Sequence, residues 1–92
     1  MKIKFSLIAQ ERLENIASYI YEQSKSKQIT RNYLKKFKSF IIETLSSFPK
    51  AGRPSPELLE DSRKLVYQGY SIIYRVKETE IEILTLYREN LL

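Results

Sequence analysis

The sequence predicts an α+β fold: an N-terminal strand, an antiparallel helical hairpin, then a three-stranded antiparallel meander. Three observations predict it. Apolar residues recur at spacings of three and four through two long stretches of the first half, the period of one helix face. Past a segment holding Gly52, Pro54 and Pro56, the pattern changes to short runs rich in β-branched and aromatic residues. The connectors between those runs are too short for a crossover, so neighbouring strands must be antiparallel. The 92 residues fit one domain, residues 1–92, and folding at this size buries roughly 60% of the unfolded chain's surface.

Lys2-Ile3-Lys4-Phe5 alternates charged and apolar residues, as a short half-buried strand does. Ser6 then suits a helix N-cap. Ala9, Leu13, Ile16, Ala17 and Ile20 form one stripe of a helix reaching about Gln23, with Glu11, Arg12, Glu14 and Glu22 away from it. Residues 24–28 are polar and read as a connection, with Thr30 capping a second helix. Its core stripe is Leu34, Phe37, Ile41, Leu45 and Phe48, flanked by Tyr33 and Phe40. Pro49 and Gly52 end it, because proline removes a backbone donor and glycine accepts a positive φ.

Residues 50–61 read as a loop, with a turn of helix near Glu57 to Glu60. Residues 64–67 form the first meander strand and Gln68-Gly69 a tight turn. Residues 70–76 form the second strand, with Tyr70, Ile72, Tyr74 and Val76 on one face and Ser71, Ile73 and Arg75 on the other. Lys77-Glu78-Thr79 turns the chain into the third, residues 80–87. One sheet face should cover the helices and the other stay partly open. The first strand and the meander edge, with unpaired backbone groups, are natural docking places for a partner.

Composition narrows the chemistry. The chain has no cysteine and no histidine, which removes disulfides, thiolate metal sites and the commonest general base. No spaced Asp/Glu cluster replaces them, so neither metal nor other cofactor is expected. No apolar stretch is long enough for a membrane span, and the charged N-terminus is unlike a signal peptide, which leads to the expectation of a cytoplasmic protein. The net charge of +5 fits an acidic protein or a polyanion as partner. No acidic residue falls between Glu22 and Glu43, where Lys25, Lys27, Arg31, Lys35, Lys36 and Lys38 all lie. On a helical wheel Arg31, Lys35 and Lys38 stand within about 60° of one another.

Five segments follow one another in order: Ala9-x3-Leu13-x2-Ile16-x2-Tyr19-Ile20, Leu45-x2-Phe48-Pro49-x2-Gly52-Arg53-Pro54, Arg63-x-Leu65-Val66, Gly69-Tyr70-x-Ile72-x-Tyr74-Arg75-Val76 and Ile81-x-Ile83-Leu84. Together they resemble the RelE/ParE superfamily of toxins from type II toxin–antitoxin systems. The likeness spans nearly the whole chain and implies the fold already predicted. It also implies an acidic antitoxin as partner, one that lays a helix or strand over a groove or sheet edge; charge makes Arg31, Lys35 and Lys38 its candidate contacts.

The superfamily implies two activities. RelE-like members cut mRNA on the ribosome, which needs a base, cations for the phosphorane charge and an acid for the leaving oxygen. Here Arg63, Lys64, Tyr87 and Arg88 would have to supply that set. Ser71 stands where such nucleases tend to carry arginine, and only five residues follow Tyr87, so the set looks incomplete. ParE-like members poison DNA gyrase without nuclease chemistry, and the Phe-Pro-x2-Gly-Arg-Pro run with the Tyr-x-Ile-x-Tyr-Arg-Val strand is more similar to them. The expectation is therefore a gyrase poison rather than an enzyme, with Arg53, Arg63, Arg75, Tyr87 and Arg88 as candidate target contacts. Ribosome and mRNA are the alternative targets.

Overall fold

A computed structural model describes residues 1–89. The chain runs β1 (Lys2–Phe5), α1 (Leu7–Ser24), α2 (Lys27–Ser47), β2 (Arg53–Pro54), β3 (Arg63–Tyr67), β4 (Tyr70–Val76) and β5 (Glu80–Arg88). Ser6 does cap α1: its hydroxyl accepts from the Ala9 N–H at 3.0 Å. The same hydroxyl donates to the Leu84 carbonyl at 2.7 Å, pinning the helix start to β5.

The link between the helices is shorter than expected. Lys25 adopts a left-handed conformation and its N–H returns to the Tyr21 carbonyl. Ser26 then caps α2, accepting from the Ile29 N–H at 3.1 Å. Thr30 lies one turn inside, donating its hydroxyl to the Ser26 carbonyl at 2.8 Å. Both residues can cap a helix, but only Ser26 has the extended backbone a cap requires. The loop before β3 holds turns rather than a helix element, with the Leu58 and Leu59 N–H groups both donating to the Ser55 carbonyl.

The five strands form one sheet in the order β1-β5-β4-β3-β2. β3, β4 and β5 make the expected antiparallel meander. Its first turn gives both Gln68 and Gly69 a positive φ, the geometry that suits a two-residue hairpin. β1 is not a lone strand: it pairs in parallel with β5, Ile3 opposite Ile81 and Phe5 opposite Ile83, so the sheet is mixed. A parallel neighbour is possible here because α1, α2 and the meander supply the long crossover that it needs. β2, two residues on the far edge beside β3, adds a strand that the loop composition concealed.

The helices cover one face of this sheet. Ala9, Leu13 and Ile16 of α1 meet Phe37, Ile41 and Leu45 of α2, and both stripes close over Leu65, Ile72, Tyr74, Ile81, Ile83 and Leu86. Phe37 is ringed by aromatics, edge-on to Tyr67 and Tyr70, while Phe40 stacks on Tyr67 at 4.0 Å. Phe48 was expected to complete the α2 stripe, yet it is 68% exposed. The helix has already ended there, and the changed backbone turns the ring away from the core line. The opposite face is partly open, with Val66 and Tyr87 exposed, although Ser71 and Ile73 within it are buried.

Candidate functional site

Three clusters of side chains hold Arg63, Lys64, Tyr87 and Arg88 among the residues singled out in the sequence. The first fixes the exit from α2. Buried Tyr74 donates its hydroxyl to the Pro49 carbonyl at 2.8 Å and accepts from the Gly52 N–H at 2.9 Å. A Cβ at Gly52 would lie 2.7 Å from the Lys64 carbonyl oxygen and 2.8 Å from the Tyr74 ring, so only glycine fits. Arg63 donates to the Gly52 carbonyl at 2.7 Å from the other side. Burial pushes the Tyr74 phenol above its usual pKa, and the hydroxyl stays protonated to donate. This cluster gives Pro49 and Gly52 of the Phe-Pro-x2-Gly-Arg segment a structural reason.

The second cluster is a groove between α1 and the end of β5. Arg12, Asn15, Ile16, Tyr19, Tyr70, Leu86, Tyr87 and Arg88 enclose a cavity of about 290 Å³ there. The Arg88 guanidinium sits 5.3 Å from the centre of the Tyr19 ring, a cation–π contact. Beyond Ile83, β5 has no partner in β1, so its outer edge borders this groove without a neighbouring strand. Arg12, Asn15 and Tyr19 were not singled out as site residues. Their spacing of three and four was legible, but one helix does not reveal which strand it faces.

The third cluster lies on the open face of the sheet. The Lys64 ammonium donates to Glu89 Oε1 at 2.7 Å, and Ser71 Oγ donates to the same oxygen. The bridge crosses β4 to join β3 to the end of β5. Hydrogen bonding to Lys64, then to Ser71, holds the Glu89 carboxyl below the usual glutamate range, and Lys64 is raised by the same contact.

The four residues that a nuclease would need do not all share one surface. Lys64 and Tyr87 belong to the open face through their register partners Ile73 and Ser71. Arg63 and Arg88 align with Tyr74 and Tyr70 on the helix side, at opposite ends of the sheet. The candidate target contacts are also divided. Tyr87 and Arg88 both line the groove, Arg88 from the helix side of β5 and Tyr87 from its open-face side, whereas Arg63 and Arg75 line a separate cleft with Pro54, Asp61, Ser62 and Val76. Arg53 is exposed and paired with Glu57 at 2.9 Å. Arg75 lies opposite Glu82 in the strand ladder, but its guanidinium donates to the Glu60 carbonyl while the Glu82 carboxylate takes Lys77. Arg63 likewise meets main-chain carbonyls, not Asp61 or Glu60.

Charge is partitioned accordingly. Arg53, Lys64 and Lys77 each have an acidic partner. Among the described residues, Arg12, Arg31, Lys35, Lys36, Lys38 and Arg88 take part in no ion pair. Arg31, Lys35 and Lys38 are all exposed on α2, and Lys38 meets Lys2 and Lys4 of β1 around a shallow cleft. Among the described residues no cluster of acidic side chains is placed to hold a metal ion, and no helix is long and apolar enough to cross a membrane.

Comparison with known proteins finds a family match over residues 3–90, to the ParE toxin of type II toxin-antitoxin system, parDE. Among solved structures, the chain is similar to one from the chromosomal ParDE toxin–antitoxin system of P. aeruginosa. The two share 22% sequence identity with a TM-score of 0.77, over 98% of this chain and 97% of that one. No curated protein matches the sequence.

Proposed function

The chain belongs to the ParE toxin family of type II toxin–antitoxin systems, and from that premise we propose that it arrests bacterial growth by binding and poisoning DNA gyrase. The carrying observation is the division of the would-be nuclease set between two faces, with Lys64 already bound to Glu89 and Arg63 to main-chain carbonyls. Cleavage by 2′-hydroxyl attack needs its base, acid and cations around a single phosphate. A non-catalytic toxin needs only a surface. The α1–β5 groove supplies one, with aromatic and arginine side chains of the kind that dominate protein–protein hot spots.

Its silencing partner is a cytoplasmic acidic antitoxin. The unpaired cations of Arg31, Lys35 and Lys38 steer it, and the groove with the free edge of β5 receives it. Antitoxin and gyrase then compete for overlapping surface, which explains how binding silences the toxin.

The test is supercoiling by purified gyrase. The wild-type chain should inhibit it, and Tyr87→Ala with Arg88→Ala should raise the half-inhibitory concentration by about tenfold or more, as truncating hot-spot residues does. Unimpaired supercoiling, together with cleavage of mRNA on translating ribosomes, would overturn this reading in favour of the RelE-like one.

A further inference from the structure

Glu89 belongs to neither of the roles assigned above, yet more converges on it than on any other acidic side chain described. Its N–H donates to the Gly69 carbonyl at 2.7 Å, and its carboxylate takes both Lys64 Nζ and Ser71 Oγ. The Lys64 side chain is only 16% exposed and that of Glu89 34%, whereas the Lys25–Glu22 and Arg53–Glu57 pairs are more than half exposed. Water screens the Lys64–Glu89 pair least at its lysine, so this contact constrains geometry where surface pairs do not.

The place of this contact matters. β1 accompanies β5 only as far as Ile83. Beyond that point β5 has β4 on one side and no strand on the other, and strand ends so placed fray. Two anchors counter the fraying, one on each face. Arg88 lies over Tyr19 on the helix side, and Glu89 is held on the open side.

We propose that Glu89 is a positioning residue: its carboxylate latches the end of β5 across β4 to β3 and so sets where Tyr87 and Arg88 stand. Because side chains alternate along a strand, holding residue 89 on the open face keeps Tyr87 on that face and directs Arg88 towards α1. Released, the end of β5 loses its register and the groove loses one wall. The consequence for toxicity rests on the gyrase reading; the latch itself does not.

Three variants test it: Glu89→Gln, Lys64→Met, and the exchanged pair Lys64→Glu with Glu89→Lys. Each single variant should speed hydrogen exchange at the Tyr87 and Glu89 amides by about tenfold, while the Phe37 and Ile41 amides keep their rates. The ring-current shift that Tyr19 imposes on the Arg88 side chain should shrink in parallel, and half-inhibition of gyrase should need several-fold more protein. The exchanged pair should restore all three. Unchanged exchange at the end of β5 would overturn the proposal. So would a rise spread evenly over the molecule and accompanied by a lower melting temperature, the mark of a merely structural contact. If gyrase is indifferent to the wild-type chain while exchange and ring shift respond as stated, the latch stands and the gyrase target falls.

Discussion

Tyr74 shows how much one hydroxyl can organise. It sits at the centre of the sheet, fully buried, and reaches the turn that ends α2 through two hydrogen bonds. Tyr74→Phe removes both and leaves the Gly52 N–H buried without an acceptor, which should cost about 1–3 kcal/mol. Gly52→Ala drives a methyl group into the Lys64 carbonyl and the Tyr74 ring, with a similar or larger loss. Both changes break the same contact, so the double variant should lose less than the sum in urea denaturation. Simple additivity would show that the hydroxyl and the glycine act separately. Arg63 and Arg75 belong to the same scale: both face main-chain carbonyls, and each helps hold a loop on the sheet.

Elements depend on these local choices. α2 begins where a serine hydroxyl has an extended backbone, at Ser26 rather than Thr30. Ser26→Ala should therefore lower stability by about 1 kcal/mol, while Thr30→Ala should cost only a few tenths. A reversed order in the urea midpoints would move the cap back to Thr30. β5 is the element on which most else relies. It carries β1 in parallel, β4 antiparallel, the start of α1 through Ser6, and an extra residue at Leu84 where its register with β4 shifts. That bulge changes which residues face the helices, so Leu86 and Ile83 both enter the core although their spacing is odd.

For the whole molecule, the distribution of charge matters more than its sum. The meander and exit loop neutralise Arg53, Lys64 and Lys77 internally. The cations of α2 and the groove are left to the outside. Long-range attraction to an acidic antitoxin should thus come from the α2 side and be screened by salt over a Debye length of about 8 Å at physiological ionic strength. Lys35→Glu with Lys38→Glu should slow association by about tenfold at low salt and leave dissociation nearly unchanged. Stopped-flow rates that are the same at low and high salt would remove these residues from the encounter.

The amino-acid sequence alone declares the two apolar helix stripes, the meander and the order of every element except β2. Each of these is a local periodicity, because apolar spacing follows from 3.6 residues per helical turn and two per strand repeat. The sequence also shows the cationic stretch of α2, since charge is a property of composition. What it conceals depends on contacts between distant residues. The parallel seat of β1 on β5 joins residues nearly eighty positions apart. The Lys64–Glu89 bridge and the meeting of Arg12 and Tyr19 with Arg88 are likewise remote in sequence. Tyr87 and Arg88 look like one motif in the sequence, yet adjacent strand residues point to opposite faces. Only the packed sheet decides which of them meets α1, because a side chain's neighbours are set by register and burial.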